Sequence, residues 1–142
     1  MKRSRVILIL VIVAFLIGGG IGFYLYNKPP AKTANQKAVA TVTASELYNA
    51  FEANEEKANS TYLGKIIEVE GTIAGVSANE SGQSVIQLSN PLFGVSCSFE
   101  NDFFANHKQV INRLKEGDSI KLKCKCDGML TDVVLTQCVL IK

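Results

Sequence analysis

Residues Val6 to Tyr26 read VILILVIVAFLIGGGIGFYLY, 21 consecutive positions without a charge. No other feature of the sequence restricts the chain as much. A helix rises about 1.5 Å per residue, so this run covers the roughly 30 Å hydrocarbon core of a bilayer. Tyr24 and Tyr26 stand at its far end, where amphipathic rings favour headgroup depth. A cleaved signal peptide calls for a shorter apolar stretch, about 7–15 residues, with a small-x-small site close behind. Here the first such triplet, Ala38-Val39-Ala40, lies well past the run, and no Cys sits near it for lipid attachment. The reading is an uncleaved signal-anchor, a single-pass transmembrane helix over 6–26.

The flanks orient that helix. Lys2, Arg3 and Arg5 crowd one side, while Lys28, Lys32 and Lys37 are spread along the other. The positive-inside rule then expects a cytoplasmic basic tail at 1–5 and the rest of the chain outside, in a periplasmic or extracellular setting. Gly18 and Gly22 have the small-xxx-small spacing that supports helix pairing, although four glycines in one run produce it readily by chance. Pro29-Pro30 stops the helix, and the small polar residues after it suit a flexible linker over 27–42.

Beyond the linker the charge changes sign. Residues 1–42 hold six bases and no acid, whereas 43–142 hold nine bases against thirteen acids, a formal −4. A mildly acidic body is a poor partner for a polyanion.

That body opens with Thr43-Ala44-Ser45-Glu46, a capping box. Leu47, Phe51 and Ala58, with Tyr48 beside them, predict one amphipathic helix through about Asn59. Glu55-Glu56 do not converge on a shared substrate or metal, because adjacent helix positions point apart. Next, Ile67, Val69, Gly71 and Ile73 alternate with Glu68, Glu70 and Thr72, the period of a half-buried strand. A loop, a second strand SVIQLS, an Asn90-Pro91 turn and a third strand GVSCSF follow. A helix is expected over 102–115, anchored by Phe103, Val110, Ile111 and Leu114. The fourth strand, SIKLKCKCD, sends Ile120, Leu122, Cys124 and Cys126 inward and Lys121, Lys123 and Lys125 outward. Gly128 reads as a turn, and DVVLTQCVLI as the last strand.

Three strands, a helix and two strands is the order of the OB-fold, a five-stranded Greek-key barrel. The expected class is mainly β with helices (α+β), with the OB-fold domain at 43–142. The run ASELYNAFEANEEKANSTYLGKIIEVEGTI, then VSCSF, KEGDSIKLKCKCDG and DVVLTQCVLI, resembles the tRNA_anti-like family of bacterial membrane-associated and lipoprotein-type OB-fold proteins. Tyr62-x-Gly64-Lys65, Gly71, Cys97, Gly117-Asp118, Cys126-x-Gly128 and Cys138 carry the likeness. The family name records similarity to the anticodon-binding domain of tRNA synthetases, a likeness of fold that does not establish function. This chain departs from lipoprotein members in having a transmembrane helix and no lipidated Cys.

Chemistry has few candidates here. The one His, His107, sits in a Phe-rich helix with no nucleophile at a recognisable spacing, so it reads as a surface or capping residue and no catalytic residue is assigned. Cys124-x-Cys126 on a strand holds its sulfurs about 7 Å apart, unlike the converging turn of structural zinc sites. No metal or cofactor is therefore expected. In the OB order the third and fifth strands are parallel neighbours, which makes Cys97–Cys138 the expected disulfide. OB-folds that bind single strands place aromatic platforms on strands two and three within a basic groove. Phe99 shares the inward parity of Val95 and Cys97, leaving Phe93 as the one exposed ring. The lysine stripe faces Glu68 and Glu70 across the barrel seam, where cross-strand pairing competes with ligand binding. Phe93, Lys121, Lys123 and Lys125 are the candidate ligand contacts. The expected function is a non-catalytic, extracytoplasmic binding module for a protein or small ligand. The alternative is single-stranded nucleic acid (tRNA or oligonucleotide).

Overall fold

The structure, a computed structural model, describes residues 2–27, 32–90 and 93–141. Lys28, the Pro29-Pro30 stop and Pro91 of the expected turn lie outside the described residues. Two compact units divide the chain, Met1–Ala31 and Lys32–Lys142. In the first, α1 runs from Lys2 to Asn27. Its apolar stretch Val6–Asn27 is 22 residues long, a length that fits a membrane span or signal anchor.

The second unit is built on a closed barrel. Its strands are β2 (Ile66–Ala78), β3 (Ser84–Leu88), β4 (Val95–Phe99), β5 (Ser119–Met129) and β6 (Val133–Leu140). They pair in the order β2-β3-β4-β6-β5, and β5 closes back on β2. Only β4 and β6 run parallel among these pairs. Period-2 alternation sends Ile67, Val69 and Ile73, then Ile86 and Leu88, Val95, Cys97 and Phe99, and Ile120, Leu122, Cys124 and Cys126 into one core. The α+β class and the OB-fold follow from this closure and strand order.

The helix expected through Asn59 is two helices, α2 (Ala44–Ala53) and α3 (Glu55–Tyr62). The capping box starts α2: Glu46 N–H donates to Thr43 Oγ1 at 3.2 Å, and Thr43 N–H donates to Glu46 Oε2 at 2.9 Å. The Thr43 N–H bond, and a second from the Thr43 hydroxyl at 2.9 Å, hold the Glu46 carboxyl below its ordinary pKa. Asn54 leaves the helical region, and its Oδ1 accepts from Lys57 N–H at 2.9 Å, so a second cap starts α3. An apolar stripe does not report such a break, because Ala58 stays buried across it. Leu47 and Phe51 of α2 enter the core, each contributing about 1.5–3 kcal/mol of burial. The close approach is at Gly71, where a Cβ would lie 3.1 Å from Ala44 Cβ and 3.3 Å from Leu88 Cβ.

Two further differences concern length and order. The last helix, α4 (Asn101–Ile111), stops before the expected Lys115, and Val110 faces solvent while its neighbour Ile111 is buried. Residues 32–42, read as linker, are structured. Thr33 is buried in a 3₁₀ turn, Val39 N–H donates to Ile66 O, and β1 (Thr41–Thr43) pairs parallel with β2. A run of small polar residues predicted flexibility there, but the free edge groups of β2 offered that segment backbone partners.

Candidate functional site

The lysine stripe lies where the pattern placed it, on the outer face of β5 opposite β2. The register pairs Glu70 with Lys121 and Glu68 with Lys123. The actual ion pairs are shifted: Lys121 Nζ bridges Glu70 at 3.0 Å and Glu68 at 3.3 Å. Both carboxylates push the Lys121 pKa up, Glu70 more strongly. Lys123 Nζ instead donates to Ala34 O at 3.5 Å, and Lys125 pairs with Asp127 at 3.5 Å. Thr41 of β1 donates its hydroxyl to Glu68 Oε2 at 3.3 Å. Each of the three lysines thus has an intramolecular partner, and the segment 32–43 runs across this wall.

The face that OB-folds use for oligonucleotides looks different. On β3 and β4 the outward residues pair as Val85 with Ser98 and Gln87 with Ser96. These strands offer no ring and no cation there, and Phe99 is buried as its parity predicts.

Phe93 does stand in a concavity. A groove of about 390 Å³ is lined by Ser45, Tyr48, Asn49 and Glu52 of α2, and by Ser89, Asn90, Phe93 and Gly94. Its size falls in the range of small-ligand sites. Phe93 is 53% exposed there. Ser45, Tyr48, Asn49 and Glu52 follow i, i+3, i+4, i+7 spacing, so one face of α2 supplies a whole wall. That polar stripe was present in the sequence, but the apolar stripe of the same helix defined the reading. Tyr48 Oη donates to Glu52 Oε1 at 3.1 Å. Burial raises the Tyr48 pKa, as do the bond to Glu52 and the charges of Glu52 and Asp132.

The opposite wall is strained. Ser89 has φ +73°, and Asn90 N–H donates to Leu88 O at 3.0 Å across it, the positive-φ form of the γ-turn. Ser45 Oγ donates to Ser89 Oγ at 3.3 Å and ties the turn to α2. Gly94 packs so closely that a Cβ would lie 2.4 Å from Leu88 O. Backbone strain of this kind persists only where the surroundings over-determine it.

The disulfide expectation is corrected. Cys138 is bonded to Cys124, with Cα atoms 4.1 Å apart, while Cys97 and Cys126 are free and buried. The cause is a bulge in β6. Gln137 has φ +52°, and the β4–β6 register jumps from Cys97↔Leu135 to Phe99↔Cys138. Cys138 therefore turns toward the antiparallel neighbour β5 instead of Cys97. The miss was small in distance, since the sulfurs of Cys97, Cys124 and Cys138 all lie within 4.8 Å of one another. Two of those three are joined, and burial pushes the Cys97 thiol pKa well up, so none of them is poised as a nucleophile. His107 stacks on Phe103 at 4.0 Å and its Nδ1 donates to Phe103 O at 3.0 Å, a local bond at a kink in α4.

Barrel, strand order and capping helices define an OB-fold protein. The chain belongs to the tRNA_anti-like family, whose model matches residues 1–140. Among solved structures it is similar to a proposed nucleic acid-binding lipoprotein from Klebsiella pneumoniae subsp. pneumoniae. That match has 18% identity and a TM-score of 0.57, and covers 80% of this chain and 100% of the other. A proposed aspartyl-tRNA synthetase from Leishmania major Friedlin matches with 9% identity and a TM-score of 0.46, over 87% of this chain and 25% of that one. No curated protein matches the chain.

Proposed function

We propose that the protein is a single-pass, membrane-anchored OB-fold binding module with its N-terminus in the cytoplasm and its barrel outside. It is non-catalytic and takes a protein or small ligand in the groove between α2 and the described residues Ser89, Asn90, Phe93 and Gly94. One observation carries this reading: the exposed ring of Phe93 stands over a preformed concavity, while Lys121, Lys123 and Lys125 are all engaged within the chain. Phe93 is the ligand contact, and the lysines hold the barrel seam. The orientation rests on the bases at 2–5, and the groove neither requires nor contradicts it.

Single-stranded nucleic acid is the second reading, favoured by the family and by the ligand proposed for the Klebsiella lipoprotein. At 18% identity that structure supports the fold alone. Against it stand the −4 charge of 43–142 and a β3–β4 face without rings. One stacked base contributes about 1–3 kcal/mol, too little to order a flexible strand.

The test uses the full chain in nonionic detergent, titrated with a short fluorescent oligonucleotide at about 0.15 M salt, where the Debye length is near 8 Å. Weak binding that falls steeply with salt is expected. Submicromolar affinity lost on Phe93→Ala or Lys123→Glu would overturn the reading. External protease on spheroplasts checks the topology, and survival of the barrel there would reverse the orientation.

A further inference from the structure

The wall residues of the groove share an electrostatic property. Of the eight described residues that line it only Glu52 is charged, and no lysine or arginine is among them. A second carboxylate stands close by. Val133 N–H donates to Gly94 O at 3.0 Å, which sets the preceding residue, Asp132, at the groove's edge. Asp132 has one carboxylate oxygen buried without a hydrogen-bond partner. Neither Glu52 nor Asp132 forms a salt bridge among the described residues. On the β2–β5 wall, by contrast, Glu68 and Glu70 each have an ammonium within 3.3 Å. The negative field reaches the groove, since both Glu52 and Asp132 raise the Tyr48 phenol.

An occupant of this groove desolvates the Glu52 carboxylate. An anion would add repulsion to that cost, and a neutral molecule would leave the carboxylate without compensation. A cation offsets it directly. Two rings, Tyr48 and Phe93, line the same space, and ring faces attract ammonium groups most strongly where water is excluded. The groove is also fixed in advance: the strained Ser89 turn, the Ser45–Ser89 bond and the tight seat of Gly94 hold one wall. Tyr48 Oη fixes the Glu52 carboxylate on the other. Pre-organisation of this sort lowers the ordering cost of binding.

We infer that the groove binds the ammonium end of an organic cation, with Glu52 as counter-ion, Phe93 as ring face and Tyr48 as the residue that positions Glu52. This inference rests on the groove being the binding site and specifies the charge class of its ligand.

The experiment titrates the full chain, in nonionic detergent, with Nα-acetyl-lysine amide and with its uncharged analogue Nα-acetyl-norleucine amide, following the backbone amides of Ser45–Asn49 and Gly94 by NMR. The lysine probe should shift these amides saturably in the millimolar range, and the norleucine probe should bind at least about tenfold more weakly, given the worth of a charge-assisted contact. Glu52→Gln should weaken the lysine probe about tenfold and Phe93→Ala about threefold. Glu56→Gln, on α3 and outside the groove, should leave it unchanged. Tyr48→Phe keeps the ring and loses the bond to Glu52, so its effect should vanish in the Glu52→Gln background. Equal binding of both probes would refute the cation class while leaving the groove as a site. Absence of any shift at the groove amides, with an oligonucleotide instead shifting β3 and β4, would overturn both readings.

Discussion

On the β2–β5 wall five charged side chains, Glu68, Glu70, Lys121, Lys123 and Lys125, crowd one surface, and the structure gives every one a partner. At the α2 rim a single lining carboxylate, Glu52, stands beside two rings and a strained turn, with no cation opposite it among the described residues. The wall is rich in charge and electrostatically closed. The rim is poor in charge and open. Charge density is thus a weak guide to a ligand surface, because a register that sets acids against bases consumes the charge internally. Unbalanced charge beside a concavity is the better guide.

The largest expected effect lies beneath both regions, in the core they share. Cys124→Ala removes a cross-link spanning 14 residues and should cost about 3 kcal/mol under oxidising conditions, by loop-closure arguments. Cys97→Ala removes no bond and should cost clearly less. Chemical denaturation of the two variants gives the ordering, and alkylation with mass mapping of unreduced protein should return a Cys124–Cys138 peptide. A Cys97–Cys138 peptide would restore the regular register and remove the β6 bulge from the account.

Next comes the wall of the groove itself. Gly94→Ala places a methyl 2.4 Å from a backbone oxygen, so Gly94 and Leu88 must move apart. A cost of about 1–3 kcal/mol is expected, as for other overpacked sites. Probe binding at the rim should fall with it, while the β2–β5 seam, read from hydrogen exchange of β5 amides, keeps its protection relative to the global value. Uniform loss of protection across the barrel would mean that the rim is not a separable device.

Much of this architecture was legible in the sequence. Alternation along Ile67–Ile73 and Ile120–Cys126 located two strands and their inward faces, and the Thr43–Glu46 box located a helix start, because each is a local rule with a strong period. What failed was local only in part. The Asn54 break changes the chain direction without changing the apolar stripe. The β6 bulge depends on one residue, Gln137, adopting φ +52°, and nothing in its side chain announces that. Order in residues 32–42 comes from the exposed edge of β2, a tertiary partner that composition does not encode. Of the groove, Phe93 was found as an exposed ring. Ser45, Tyr48, Asn49 and Glu52 were missed although they follow helical spacing, because two stripes on one helix were read for one property only.

The smallest effect is expected on the charge-rich wall, and it sharpens the contrast. Lys121→Met keeps the aliphatic stem that covers the sheet and removes the ammonium that bridges Glu68 and Glu70. Lys121 is about a quarter exposed, at 27%, so solvent screens much of the interaction. The sign of the pH dependence follows from the raised pKa of Lys121. Its stabilising contribution is complete below the ordinary lysine value of 10.5 and is lost as the pH rises through the higher folded value. The stability gap between the native chain and Lys121→Met should therefore be small and flat through neutral pH, and close in strong alkali. It should also shrink at about 1 M salt, where the Debye length is near 3 Å. Affinity of the lysine probe for the rim should be the same in both proteins. A drop in that affinity on Lys121→Met would show that the two regions are coupled, and that the seam helps shape the groove.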